Sequence, residues 1–307
     1  MVEIELKFQI SEARRTALLK ALDPKKSETI QLQAKYFDTP DRLLAQHGAA
    51  LRQRLEGISW IQTLKAAGKS HLHRFEHNHN LGELESSPEL DLSIYQAIPE
   101  AQQILTQALG SDAAALKLTF ETDIQRTYRV IQFEDAEIEV CLDVGVVRAS
   151  GREQTIHEVE FELKSGSVQS LLAFSFEWVK KYQLWLDVRS KAEMGNLLAL
   201  EQTVSPARFE KEFVLSKKES AAHNLSLLIG QQMQHLLPNI AAISAGVAEQ
   251  SHIDQAQTAL EHLQLTLALF KDWNSNISDK WAMQLAAFKH QFDHLQHLQH
   301  MQSTLGA

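Results

Sequence analysis

A strict alternation of charged and apolar residues at the start of the chain restricts its folding more than any other feature. Glu3, Glu5 and Lys7 interleave with Val2, Ile4, Leu6 and Phe8. A period of two belongs to a strand with one packed face and one polar face. Side chains two apart on such a face stand roughly 7 Å from each other. Carboxylates that close repel unless a cation sits among them, and a divalent metal bound by carboxylate oxygen is a natural compensator. An exposed, charged edge strand would carry the same pattern. The pattern recurs, however, at His157-Glu158-Val159-Glu160-Phe161-Glu162-Leu163-Lys164, again closed by a lysine. Two acidic strands that both faced solvent would gain the sheet nothing, whereas two that face one cavity can hold metal ions.

Basic residues follow the same rule. Leu51-Arg52-Gln53-Arg54-Leu55 places Arg52 and Arg54 on one strand face, and Trp60 to Lys65 reads as the next strand after a turn at Glu56-Gly57-Ile58-Ser59. His73-Arg74-Phe75-Glu76 reads as a third, and Ile124 to Val130 adds Arg126 and Arg129. Arginine offers a planar fork for phosphate oxygens, and lysine a compact charge. Surface ion pairs between strands would explain one such face, since each contributes little. Several alternating strands of both signs point instead to a metal-bound polyphosphate, with bases on the anion and acids on the metal.

The ordered set resembles the CYTH domains, the triphosphate tunnel metalloenzymes. Glu3-x-Glu5-x-Lys7 is similar to their N-terminal signature, Gly48-Ala49-Ala50-Leu51-Arg52-Gln53-Arg54 to their Gly-x-Ala-Leu-Arg-x-Arg, and Thr63-Leu64-Lys65 to their Thr-Leu-Lys. Arg74-Phe75-Glu76 resembles Arg-x-Glu-x-Glu with Asn78 in place of the second Glu. Arg126, a turn at Leu142-Asp143-Val144-Gly145, the Glu158/Glu160/Glu162 strand and Ser190-Lys191 follow in order. The resemblance covers roughly residues 1 to 200 and implies an α+β fold: an eight-stranded antiparallel β tunnel with outer helices. It implies that Glu3, Glu5, Asp143, Glu160 and Glu162 hold Mg2+ or Mn2+. Glu3, Glu5 and Lys7 would stand at the reacting centre. Arg52, Arg54, Lys65, Arg74, Arg126 and Lys191 would grip the phosphate chain. The implied activity is hydrolysis of inorganic tripolyphosphate by a metal-associated water. Thiamine triphosphatase and class IV adenylyl cyclase are alternatives within the family, and a non-catalytic polyphosphate-binding protein is an alternative outside it. A pure anion binder would be weakened by facing carboxylates, so the acidic set favours the enzyme.

A chain of 307 residues has room for two domains, expected here as 1–202 and 203–307. The net charge of −9 disfavours a general nucleic-acid surface but not bases gathered in a cavity. The single cysteine, Cys141, excludes an internal disulfide and suits a small buried position. No apolar run approaches bilayer length, and the N-terminus reads as a strand, not a signal peptide. A soluble, cytoplasmic protein is the expectation.

Helices are expected from Ser11, as N-cap, to Leu22 and from Leu90 to Leu109. Beyond Val204-Ser205-Pro206 the periodicity becomes helical, over Lys218–Leu237, Ala242–Lys271 and Asp279–Met301, with breaks at Pro238-Asn239 and Asn274-Ser275-Asn276. This part resembles a truncated CHAD domain, a helical polyphosphate-binding module. His252 of its signature helix is kept, while Gln255, Gln257, Glu261 and His262 stand where arginines are usual. His290, His294 and His297 share a helix stripe, and His71, His73, His77 and His79 alternate. Metal capture at either set competes with a plain polar surface, which is the preferred reading.

Overall fold

In a computed structural model of the chain, residues 2–70, 73–212, 215–271 and 275–305 are described, without side chains at 2–3, 69–70, 73–74, 277 and 294–305. The chain divides into two compact units, Met1–Ser205 and Pro206–Ala307. The first runs β1 (Val2–Gln9), α1 (Glu12–Ala21), β2 (Glu28–Asp38), α2 (Leu43–Gln46), β3 (Ala49–Glu56), β4 (Ser59–Ser70), β5 (His73–Glu83), α3 (Pro99–Leu109), β6 (Lys117–Phe133), β7 (Ala136–Ala149), β8 (Arg152–Ser165), α4 (Val168–Tyr182), β9 (Trp185–Leu186) and α5 (Lys191–Ala199).

All strands pair antiparallel in the order β5-β4-β3-β2-β6-β7-β8-β1-β9. A further pairing joins β1 to β5, from Val2↔Phe75 to Ile4↔His73. Among the described residues the sheet thus has nine strands where eight were expected, because Trp185-Leu186 adds a short strand beside Phe8 and Gln9. Among the described residues it comes round on itself over three residue pairs. The second half of β1 pairs with β8 and β9, and β5 beyond Phe75 has no β1 partner among the described residues.

Alternation decides what each face meets. Phe8, Val140, Leu142, Val159 and Phe161 turn outward under α1 and α4, packing with Leu18, Leu171 and Phe174. Leu51, Leu64 and Phe75 turn outward toward Tyr95, Ala101 and Leu109. The opposite, inner face has an apolar end at Leu32, Tyr36, Phe120, Ile124, Val147 and Ile156, covered by Met194 of α5. That capping end places the start of α5 beside the polar part of the inner face.

Several expectations need correction. Leu142 to Gly145 is no turn; it lies inside β7. The glycine there serves close strand approach, since a Cβ on Gly145 would lie 2.1 Å from the Asp123 carbonyl oxygen of β6. Gly145→Ala is therefore expected to destabilise the protein by about 1–3 kcal/mol, measured by urea unfolding. The helix expected from Leu90 shortens to a 3-10 turn at Ser93–Tyr95 and then α3, because Pro99 starts that helix and Ile98 before it is extended. Ser11 stands at the N-cap position of α1 without a side-chain capping bond.

The second unit holds α6 (Ala221–Ser244), α7 (Gln250–Leu269) and α8 (Ser275–Leu305). Helix α6 runs through Pro238 instead of breaking there. The buried neighbour Asn239 donates to the His235 carbonyl and to the Arg208 carbonyl, and accepts from the Arg208 N–H. It is a packing strap, and the break comes later, between Ser244 and Gln250. His252 caps α7, its Nδ1 accepting the Glu249 N–H at 3.1 Å. Among the described residues no helix is long and apolar enough to cross a membrane.

Candidate metal and phosphate site

The inner face of the sheet is charged where it is not apolar. Register aligns the rows: Glu5 pairs with Glu162 and Glu162 with Glu139; Lys7 pairs with Glu160; Asp143 lies between Glu158 and Arg126. Odd positions of β1 and β7 and even positions of β6 and β8 therefore share one face. Arg129, an odd position on β6, cannot; it turns outward and reaches the Leu22 carbonyl at 3.5 Å. Grouping it with Arg126 was wrong for that reason.

Asp143, Glu158 and Glu160 form the acidic centre, with ligand-type oxygens all within 4.8 Å of one another. Asp143 and Glu158 have no solvent exposure. Three cations answer them. Arg126 sets its fork on Asp143 at 2.7 and 2.6 Å and reaches Glu160 at 2.5 Å. Lys191 Nζ lies 2.8 Å from Asp143 and 2.8 Å from Glu160 and also pairs with Glu158. Lys7 Nζ reaches the other Glu158 oxygen at 3.1 Å and donates to the Arg189 carbonyl. Burial alone would raise the Asp143 and Glu160 pKa values, yet Arg126 and Lys191 hold Asp143 below its ordinary range and Glu160 far below it. Burial opposes the charge on Lys191 as well, and Asp143, Glu158 and Glu160 outweigh it and raise its pKa strongly.

Local structure fixes these side chains. The Asp187 N–H donates to the Lys7 carbonyl, and Arg189 forks onto Asp187 at 3.0 and 2.7 Å. Ser190 then caps α5 by accepting the Glu193 N–H, which leaves Lys191 in the first turn, pointing at the carboxylates.

The second part of the inner face is basic. Arg52 and Lys65 converge on Glu76 at 3.9 and 2.8 Å. Asn78, standing where a second Glu was expected, accepts from Thr63 at 2.7 Å and donates to Glu76 at 3.0 Å. Arg54 pairs with Glu56, Nε to carboxylate, at 2.6 Å. Burial and then Arg52 push the Arg54 pKa down to about 10. Arg126 opposes the charge on both Arg52 and Arg54, and Lys65 favours the charged form of Glu160, so the two parts feel one another.

Of the expected residues, Glu5, Lys7, Arg52, Arg54, Lys65, Arg126, Asp143, Glu160 and Glu162 all lie on this face, and Lys191 reaches it from α5. Glu5 and Glu162 sit one row from the acidic centre, and Glu162 pairs with Lys164 at 2.9 Å while burial raises its pKa. Glu3 and Arg74 face each other in register across β1 and β5, and their side chains lie outside the described residues. Glu158 and Glu139 were missing from the expected ligand set, although Glu158 shares the parity of Glu160. Cys141 is buried as expected, on this face beside Glu139, and burial raises its thiol pKa. His77 and His79 occupy the other parity of β5, and His77 packs edge-on to Tyr95. His290 is exposed, His71 is undescribed, and His73, His294 and His297 have no described side chains.

A carboxylate cluster beside convergent guanidinium and ammonium groups, inside a sheet that comes round on itself, defines the class. The CYTH domain matches residues 1–195, and the chain belongs to the CYTH family. Among curated proteins, the inorganic triphosphatase of Haemophilus influenzae is 33% identical over 227 residues, which cover 72% of this chain and 62% of that protein. The chain thus spans less than two thirds of that relative's length. Among solved structures, HpAC1 of Hippeastrum, named for adenylyl cyclase and reported with a dominant triphosphatase activity, is 18% identical with a TM-score of 0.45, covering 66% of this chain and 97% of that one. The Mimivirus capping enzyme triphosphatase is 12% identical with a TM-score of 0.35, covering 59% and 89%.

Proposed function

We propose that the protein is a metal-dependent hydrolase of inorganic tripolyphosphate, releasing pyrophosphate and phosphate. The observation that carries this reading is the shared inner face. Three carboxylates within 4.8 Å of one another stand beside Arg126 and within the electrostatic reach of Lys65. Such all-oxygen donors suit hard ions, Mg2+ or Mn2+. Asp143, Glu158 and Glu160, with Glu3, Glu5 and Glu162 alongside, would hold one or two of them. A bound ion would neutralise phosphate charge and make a water more acidic. The chain's own work is positioning: Arg52, Arg54, Lys65, Arg74 and Arg126 hold the phosphate oxygens, while Lys7 and Lys191 counter the acids. Catalysis of this kind is mostly alignment and charge neutralisation.

The test is phosphate release from tripolyphosphate, ATP and thiamine triphosphate, with Mg2+ or Mn2+ and with chelator. Tripolyphosphate should be used best and chelator should abolish turnover. A row of half-buried bases is better compensated by a continuous triphosphate than by a neutral adenosine or thiamine end. Arg54→Ala should cost about 10- to 100-fold in kcat/KM on tripolyphosphate, as expected for a charged hydrogen bond, and narrow its advantage over ATP. Better use of thiamine triphosphate, or formation of cyclic AMP from ATP, would move the protein to those activities. Binding without turnover would make it a polyphosphate binder.

Residues 206–307 fit a reduced CHAD-like module that has lost its basic helix face. Gln255 bonds His235 at 3.0 Å, while Glu261 pairs with Lys289 at 3.1 Å and His262 lies 2.9 Å from Glu210 at the surface, so these positions serve contacts between elements of the helical unit.

A further inference from the structure

We propose that Lys191 is a built-in competitor for the metal: its ammonium group takes the place among Asp143, Glu158 and Glu160 that a divalent ion would take, and so sets the affinity for that ion. The inference rests on the metal-dependent reading above and goes beyond it by giving a role to one residue before any substrate arrives. Three observations carry it. Lys191 Nζ contacts all three carboxylates, at 2.8 Å for Asp143 and 2.8 Å for Glu160. Those three are the only set of acidic, His or Cys side chains among the described residues with metal-like convergence. Lys191, Arg126 and Lys7 together match the three carboxylate charges, so the centre is neutral without an ion.

An ion entering this centre meets a like charge within a few ångströms. Either the ammonium leaves or the ion binds against its repulsion, and both weaken binding. The linkage of Lys191 to α5 allows it to leave. It is the first residue of the helix, next to the Ser190 cap, so once an ion takes over its three carboxylates its long unbranched side chain can turn away without moving the backbone. Arg126 is a poorer candidate for displacement, since its fork is engaged on Asp143 by two bonds. The same device protects the protein when no ion is bound, because buried carboxylates without a cation would repel one another.

The experiment uses the full chain without substrate. Mn2+ is titrated in and the free ion is followed by its electron paramagnetic resonance signal. Lys191→Met should bind Mn2+ on the order of tenfold more tightly than wild type, since a like charge beside the ion is gone. Lys191→Arg keeps the charge and should stay near wild type. A residue that only grips substrate would leave Mn2+ affinity unchanged in all three proteins. Thermal unfolding with and without Mn2+ guards against misfolding. Lys191→Met should melt lower than wild type in chelator and gain more from Mn2+. Equal or weaker Mn2+ binding by Lys191→Met overturns the inference while leaving the metal-dependent reading intact. Absence of Mn2+ binding in every variant and in wild type overturns both.

Discussion

Glu160→Gln should lower kcat/KM for tripolyphosphate by about 100-fold or more at limiting metal. Groups that merely orient metal ligands cost about 10- to 100-fold when removed, and Glu160 is proposed as a ligand itself. The substitution keeps shape and removes charge. Glu160 accepts from Arg126 at 2.5 Å and from Lys191 at 2.8 Å, and these partners, outweighing burial, hold its carboxyl well below the usual range. Those partners favour its charged form, and a neutral amide cannot replace it. Raising Mn2+ should recover part of the loss if the defect is metal affinity. A pH series separates fold from function. A carboxylate with a depressed folded pKa contributes stability that is present above its unfolded value of about 4 and is lost as pH falls through the lower folded value. Wild type should lose this contribution on acidification, and Glu160→Gln should show less of that dependence. Steady-state assays across metal concentration decide the first point. Undiminished turnover at limiting metal would remove Glu160 from the ligand set.

Arg126→Ala should destabilise the protein by about 3–5 kcal/mol, the usual result of stripping one partner from a buried ion pair. Asp143 has no exposure and would keep only Lys191 as a direct ionic partner. For a unit of this size the melting temperature should fall on the order of 10 °C. Arg126→Lys should recover part of it, because the charge returns but the fork does not. Arg129→Ala, three residues along the same strand, should cost about 1 kcal/mol or less, since its described bond is a single one to the Leu22 carbonyl at 3.5 Å. Calorimetry of the three variants makes the comparison. Similar losses at Arg126 and Arg129 would show that strand parity does not govern the site.

Strand parity was the part of the site legible from residues alone. Glu5, Lys7, Arg52, Arg54, Lys65, Arg126 and Glu160 could be named because a period of two sends alternate side chains to one face, wherever the strand ends up; Asp143, expected in a turn, and Lys191, at the start of a helix, followed from the family resemblance alone. The same rule, applied to Arg126 and Arg129 together, should have separated them. Glu158 shares the parity of Glu160, and its place in the acidic centre became visible only when Asp143 and Lys191 were seen beside it. Pro238 and Gly145 were misread for one reason. Both residues were taken by their local habit, breaker or turn, whereas each is decided by a neighbour distant in sequence: Arg208 against Asn239, and Asp123 against Gly145.

By itself, then, the order of residues determined the sheet, its inner and outer faces, and the chemistry of the inner face, since all three follow from local periodicity and residue type. Only the tertiary structure decided which charges meet. It set the register that puts Glu160 opposite Lys7 and Asp143 opposite Glu158, the three-pair join of β1 to β5, and the approach of α5 that brings Lys191 to three carboxylates. Those contacts depend on pairing between different elements, where the free energy comes from residues brought together across 15 to 153 positions of sequence and no local pattern records it.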